Sequence, residues 1–188
     1  LRRVPEGVES IGDLAHLLGQ IGHLGDAAGI VGNRAERVER DDQPGQREQA
    51  HRRHEDPDAA LDRFAQAITR TAERGGMVVI PSFAVDRTEI ILLALKQLVQ
   101  SSRIPSLPVY ADSPMALEVL AVYRAAIAAG DDDVRLGRSV DDPFDPGMLH
   151  EARTRDESIA LNRLHVPSII ISASGMATGG RVVHHLAR

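Results

Sequence analysis

The chain has 188 residues, of which 43% are hydrophobic and 26% charged, a composition typical of a globular domain with a core rather than of a disordered chain. Its net charge of −5 argues against nonspecific coating of nucleic acid through a large basic face, but a local basic cleft is compatible with it. The sequence has no cysteine, which excludes a disulfide framework and thiolate metal sites. No apolar run reaches membrane-spanning length and no signal peptide is visible, so we expect a cytoplasmic protein without membrane partners.

The first part of the chain, residues 1–53, has no sustained periodicity. Leu14, Leu17 and Ile21 lie at helical spacing, but the frequent glycines around them disfavour a helix. Residues 34–58 are almost wholly polar, as in a disordered or solvated linker. We therefore predict that residues 1–53 form a poorly ordered N-terminal segment.

The rest of the chain alternates helical and strand patterns. Long apolar helices alternate with short β-branched strands, and Gly or Pro marks most of the boundaries. This alternation predicts an α/β domain with a parallel β-sheet flanked by helices. The predicted elements are a helix in 56–76, a strand in 77–84, a helix in 85–102, a strand in 107–114, a helix in 115–130, a helix in 157–164, a strand in 167–174 and a helix that contains His184 and His185.

Three segments share one local pattern of strand, small or polar turn, and helix: residues 78–87, 108–116 and 169–181. In a parallel sheet, the loops that leave the carboxyl ends of the strands line the ligand crevice. We therefore expect the polar and small residues of these turns to converge on one edge of the sheet. These residues are Ser82, Arg87, Asp112, Ser113, Ser174, Gly175 and Arg181.

The sequence SGMATGGR, at Ser174–Arg181, is the most specific of the three turns. Gly175, Gly179 and Gly180 leave backbone N–H groups unobstructed before a helix, and Arg181 offers a planar fork that suits phosphate. The spacing matches neither a P-loop nor a dinucleotide-binding fingerprint. A tight turn that needs glycine only for packing is the alternative interpretation. If Arg181 is a cleft residue that binds phosphate, it should contribute little to stability.

Two roles are open for Asp112: a base or metal-anchoring carboxylate, or the N-cap of the helix that starts near Pro114. His184 and His185 are adjacent on a helix, so their side chains diverge by roughly 100°. We expect one of them to face the cleft and the other the sheet. The histidines form neither an H-x-H-x-D-H nor an H-E-x-x-H motif, so we predict no metal site in this chain.

Several stretches together resemble the β-CASP region of metallo-β-lactamase-fold RNA-processing nucleases. The run SGMATGGRVVHHL is distinctive of that family, and the likeness covers roughly residues 54–188 in the family's order and spacing. The matching stretches are residues 75–95, 109–124, 142–144, 156–162 and 167–186.

The resemblance implies an α/β domain inserted into a two-zinc hydrolase fold, in which a metal-bound hydroxide attacks the phosphodiester of RNA. It implies that the loops at the sheet edge contact single-stranded RNA. The zinc ligands belong to the hydrolase domain, so zinc is expected for the full-length family and no cofactor for this chain. The candidate RNA- or phosphate-binding residues are Ser82, Phe83, Arg87, Asp112, Ser113, Ser174, Gly175, Met176, Gly179, Gly180, Arg181 and His184.

The function that the resemblance implies is therefore hydrolysis of RNA by a nuclease with a role in RNA processing. The expected partners are single-stranded RNA and the metallo-β-lactamase domain of a longer protein. Since residues 1–53 do not match the family, we expect a fragment: an unrelated or frame-shifted N-terminal segment, then a β-CASP-like domain at 54–188 that is truncated at its C-terminal end. Whether this chain alone is an enzyme stays open. The alternatives are an RNA- or nucleotide-binding module without catalysis and an α/β nucleotide-binding regulator unrelated to RNA.

Overall fold

The computed structural model describes residues 57–130 and 141–187. The N-terminal segment predicted to be poorly ordered lies outside these ranges. Within them, no helix has both the length and the hydrophobicity needed to cross a membrane. The elements in chain order are α1 Pro57–Glu73, β1 Met77–Pro81, α2 Arg87–Gln100, β2 Val109–Asp112, α3 Pro114–Ala129, β3 Leu149–Glu151, α4 Arg155–Leu161, β4 Ser168–Ser172 and α5 Val182–Leu186.

The strands form one parallel sheet in the order β1-β4-β2-β3. The central strand is β4, whose isoleucine run at 169–171 is β-branched and fully buried, as befits a strand covered on both faces. Ser172 is in register with Pro81 of β1 on one side and with Asp112 of β2 on the other. The carboxyl ends of these three strands therefore finish at one edge, which confirms the predicted parallel α/β sheet.

The main core lies on one face of the sheet. This core joins strand side chains to the apolar sides of α1, α2 and α3. The strands contribute Val78, Ile80, Ile169 and Ile171, and α1 contributes Phe64. A smaller cluster contains Ile170 with Ala152, Leu161 and the half-buried Met77 and Tyr110. Successive side chains of a strand point to opposite faces, so this division follows from the period of two. The chain thus has a large core and a smaller one that involves α4.

The ends of α3 and α4 are set by capping residues. Ser113 is the N-cap of α3, and its Oγ accepts a hydrogen bond from the N–H of Ala116 at 3.3 Å. Gly130 ends the same helix in the left-handed conformation, with a φ of 72°. Thr154 and Glu157 form a capping box at the start of α4, so this helix begins two residues earlier than the sequence pattern predicts.

Strand β3 is absent from the predicted elements. It has only three residues, Leu149–Glu151, and their Leu-His-Glu sequence has no strand periodicity to detect. It is held by parallel pairing with β2 and by the guanidinium of Arg124, whose Nη1 lies 3.1 Å from Oε1 of Glu151. Tertiary pairing therefore produces this strand rather than local propensity.

Candidate functional site

Asp112 is the centre of a hydrogen-bond network at the carboxyl edge of the sheet. It ends β2 and is fully buried, with 0% of its surface exposed. Its Oδ2 accepts hydrogen bonds from Oγ of Ser158 at 2.7 Å and Oγ of Ser172 at 3.2 Å, and lies 2.8 Å from Nε2 of His185. Its Oδ1 accepts a hydrogen bond from Nη1 of Arg181 at 2.8 Å. The network joins β2 to β4, α4, α5 and the loop that precedes α5.

Opposing effects act on the pKa of Asp112. Burial raises the pKa, but hydrogen bonds from His185, Ser158 and Arg181, together with the charge of Arg181, outweigh it and hold the pKa below the ordinary value of 3.8. Asp112 is therefore a carboxylate at neutral pH. It is buried, with hydrogen-bond partners on both oxygens, and so lacks the exposure that a base or a metal ligand needs. The interpretation as a helix cap is wrong, because the side chain of Ser113 caps α3.

The two adjacent histidines lie in different surroundings, as the divergence of their side chains predicts. His185 has a side chain that is only 1% exposed, with Nδ1 2.7 Å from Oδ1 of Asn162 and Nε2 facing Asp112. His184 is exposed to solvent. The sequence analysis assigned a role to His184 and missed His185. The signal for His185 is its spacing of three residues after the buried Val182, which places both on the inner side of α5.

Arg181 is largely engaged by the protein itself. Besides Asp112, its Nη1 donates to the carbonyl oxygen of Ala152 at 3.1 Å, and its Nη2 donates to that of Arg153 at 3.0 Å. The side chain keeps 23% exposure. The expectation that Arg181 contributes little to stability is therefore corrected: the residue is an anchor, and only the exposed part of its guanidinium can reach a ligand.

The loops after β1 and β4 meet where Phe83 covers Gly175. A Cβ added at Gly175 would lie 2.8 Å from the ring of Phe83, so no larger residue fits beneath that ring. Phe83 itself is 55% exposed, and Met176, next to Gly175, is 69% exposed. The edge of the sheet therefore presents an aromatic face and a flexible thioether side chain to solvent.

The glycines before Arg181 differ in what they require. Gly180 has a φ of 77°, and a Cβ there would lie 2.9 Å from the carbonyl oxygen of Ala173. Gly179 has no neighbouring atom within 4 Å of such a Cβ. The N–H of Val182, at the start of α5, donates to the oxygen of Ala173 at 2.9 Å. Close packing thus explains why position 180 needs a glycine but does not explain the glycine at position 179. The first N–H group of α5 is already hydrogen-bonded within the protein.

The other predicted residues lie at the same edge. Ser82 is buried; its N–H donates to the oxygen of Ser172 at 3.0 Å and its Oγ donates to the oxygen of Phe83 at 3.0 Å. Ser113 is buried as the cap of α3. Arg87 opens α2 and is half-buried. The three turns thus converge as predicted, although both serines are used by the fold itself.

A pocket of about 710 Å³ opens beside Arg181, between α4 and α5. Arg155 and His184, both exposed, contribute to its lining, and none of the described lining residues is acidic. The sequence analysis included Gly180, Arg181 and His184 of this lining but missed Arg155 and Asn162, because α4 had no assigned functional role. Across the described ranges, no group of three or more His, Asp or Glu side chains is arranged to hold a metal ion.

A parallel sheet with glycine-rich and polar loops gathered at its carboxyl edge is the architecture of an α/β domain, the class in which such an edge is the usual place for a ligand crevice. The chain belongs to the β-CASP family: residues 88–188 match the Beta-Casp domain. This match confirms the resemblance seen in the sequence.

Named relatives share the same region. Ribonuclease TTHA0252 of Thermus thermophilus is 37% identical over 127 residues, which cover 65% of this chain and 28% of that protein. An RNase J-like protein of Methanocaldococcus jannaschii is 33% identical over 121 residues, covering 64% of this chain and 27% of the relative. Cleavage and polyadenylation specificity factor 73 of Drosophila melanogaster is 28% identical over 128 residues, which cover 68% of this chain and 18% of that protein. The chain therefore spans less than a third of the length of these relatives.

Proposed function

We propose that this chain is the part of a β-CASP ribonuclease that binds single-stranded RNA along the carboxyl edge of the sheet. The observation that carries the proposal is the family match over 88–188, which includes the anchored loop Ser174–Arg181. The relatives named as a ribonuclease and as an RNase J-like protein support RNA as the substrate class.

Hydrolysis in such an enzyme would take place with a metallo-β-lactamase domain of the longer protein, which would hold the catalytic metal. The described residues of this chain do not fit a metal. Their best carboxylate candidate is Asp112, and four donors already occupy its two oxygens. We therefore propose that this chain binds the substrate and that the chemical step takes place in the metallo-β-lactamase domain.

The chemistry of the edge suits single-stranded RNA. The exposed ring of Phe83 offers a stacking platform for a base, and stacking on an aromatic ring tolerates any base sequence. The exposed part of the Arg181 guanidinium supplies positive charge toward the phosphates, and the neighbouring exposed His184 adds a ring nitrogen as a hydrogen-bonding group. In this proposal Asp112 is a positioning residue, because it acts on RNA only through Arg181.

Fluorescence anisotropy with a labelled single-stranded oligonucleotide tests the proposal. Phe83→Ala should weaken binding by about 1–3 kcal/mol, the range for loss of one stacked base. Val166→Ala is the matched control, because Val166 is 51% exposed and lies just before β4, at the opposite end of that strand. Absence of RNA binding by the unaltered chain, or equal effects of the two variants, would contradict the proposal.

The same oligonucleotide, incubated with Zn²⁺ or Mn²⁺, separates binding from catalysis. Binding without cleavage is the expected result for this chain alone. Cleavage that a chelator abolishes would show that the chain carries activity of its own.

A further inference from the structure

The pocket between α4 and α5 shares Gly180, Arg181 and His184 with the proposed RNA site, and its other lining residues lie outside that site. Its volume of about 710 Å³ falls within the range of small-molecule sites, roughly 300–1,000 Å³. It is therefore large enough to hold a small molecule, with one side open to solvent.

The charge of the pocket is one-sided. Arg155 and Arg181 line it, and none of the other lining residues is acidic. The charge of Arg181 is balanced from beneath by Asp112, at 2.8 Å. Within the described residues, the charge of Arg155 has no such partner, so its guanidinium faces solvent uncompensated, and the exposed His184 beside it is a further hydrogen-bonding group. An anion is the ligand that this arrangement favours.

Two residues that line the pocket, Ser158 and Asn162, are fixed by hydrogen bonds to the buried network around Asp112. Ser158 donates its Oγ to Asp112 at 2.7 Å, and Oδ1 of Asn162 lies 2.7 Å from Nδ1 of the buried His185. Both residues also line the pocket. Because the buried network fixes them, the pocket is formed before a ligand arrives, which lowers the cost of ordering on binding.

One side of the pocket is apolar. Ile159, which is 40% exposed, and Ala187 contribute to the lining. A ligand that matches the whole pocket has an anionic group for Arg155 and His184 and a flat apolar body for Ile159. A nucleotide, with its phosphate and base, has both.

We propose that this pocket binds one nucleotide unit, with its phosphate on Arg155 and His184 and its base against Ile159. The proposal rests on the proposed function, because the pocket adjoins the loop Ser174–Arg181, to which the proposed function assigns RNA binding. It assigns the binding role chiefly to Arg155, which lies outside the residues named from the sequence. The unit can belong to an RNA chain or to a free nucleotide.

Calorimetric titration of the full chain with AMP, adenosine and inorganic phosphate tests the site. AMP should bind at least tenfold more tightly than adenosine, because the phosphate supplies the charge-assisted contacts. Arg155→Gln should weaken AMP binding about tenfold or more. Arg163→Gln is the matched control: Arg163 is exposed, lies two residues after α4 and does not line the pocket, so AMP affinity should stay within about twofold. Circular dichroism checks that both variants are folded.

Competition with a labelled single-stranded pentanucleotide distinguishes the two sources of the ligand. If AMP displaces the RNA, the pocket holds a unit of the RNA chain; if AMP binds without displacing it, the pocket holds a free nucleotide. Equal affinity for AMP and adenosine, or equal effects of Arg155→Gln and Arg163→Gln, overturns the nucleotide site. If AMP fails to bind while RNA binds normally, this inference fails and the proposed function stands. If RNA fails to bind as well, the proposed function fails.

Discussion

The carboxylate of Asp112 and the guanidinium of Arg181 form an ion pair whose acidic end has no contact with solvent. Oδ1 lies 2.8 Å from Nη1, and the side chains are 0% and 23% exposed, respectively. Asp112 ends β2, whereas Arg181 directly precedes α5. The pair therefore fastens the loop Ser174–Arg181 to the sheet, and the position of that loop depends on it.

Arg181→Ala should lower the free energy of unfolding by about 3 kcal/mol. The variant leaves a buried carboxylate without its charged partner, and breaking such a pair costs about 3–5 kcal/mol; the partial exposure of Arg181 places the effect at the lower end. Urea denaturation at neutral pH measures it. Arg153→Ala is the control, because the ion pair of Arg153 with Glu151 is exposed and is expected to contribute at most about 1 kcal/mol. Equal losses in the two variants would show that the Asp112 pair does not anchor the loop.

Glu89 should make stability fall as pH rises from about 4.5 to about 7. The residue is 2% exposed, and neither carboxylate oxygen has a hydrogen-bond partner within the described residues. Burial, together with the charge of Asp86, raises the pKa of Glu89 from 4.5 to about 7, and nearby backbone amides offset this only in part. The folded state therefore keeps the proton up to about pH 7, whereas the unfolded chain loses it near 4.5. The free energy of unfolding therefore falls as the pH rises from 4.5 to about 7, and this contribution no longer changes at higher pH.

Glu89→Gln removes this ionisation. At pH 8 the variant should be more stable than the unaltered chain by about 3 kcal/mol, because a rise in pKa from 4.5 to about 7 corresponds to about 1.4 kcal/mol per pKa unit, and the two should be nearly equal at pH 4. Thermal unfolding across this pH range checks it. Glu118→Gln, at an exposed position of α3, should leave the pH profile unchanged. A profile for Glu89→Gln that parallels that of the unaltered chain would refute the assignment.

Gly175→Ala should impair RNA binding by displacing Phe83 rather than by removing it. The new methyl group would lie 2.8 Å from the ring, so the ring must move away from its place over the loop. We expect an RNA affinity close to that of Phe83→Ala, with a stability loss of about 1–3 kcal/mol from overpacking. Gly179→Ala is the control for stability, since its Cβ meets no atom within 4 Å and should leave the free energy of unfolding nearly unchanged. Normal RNA affinity in Gly175→Ala would mean that the position of the ring is unimportant.

The arrangement of helices and strands could be predicted from the sequence because its signals are local. The isoleucine run of β4 and the Gly pair after α1 each fix an element within a few residues, and the shared turn pattern predicts that the loops meet at one edge. The network around Asp112 has no such signal. Ser158 lies 46 residues from Asp112 in the sequence and His185 lies 73 residues away. Only the packing of α4 and α5 brings these side chains together.

The strand order has a consequence for synthesis of the chain. Strand β4 is the last strand of the described sheet to be made, yet it lies between β1 and β2, which do not pair with each other. Until Ser168 and the residues after it leave the ribosome, β1 and β2 have no strand to join them, and each exposes an unpaired edge. The sheet therefore closes late, and until it closes the nascent chain exposes strand edges that favour aggregation.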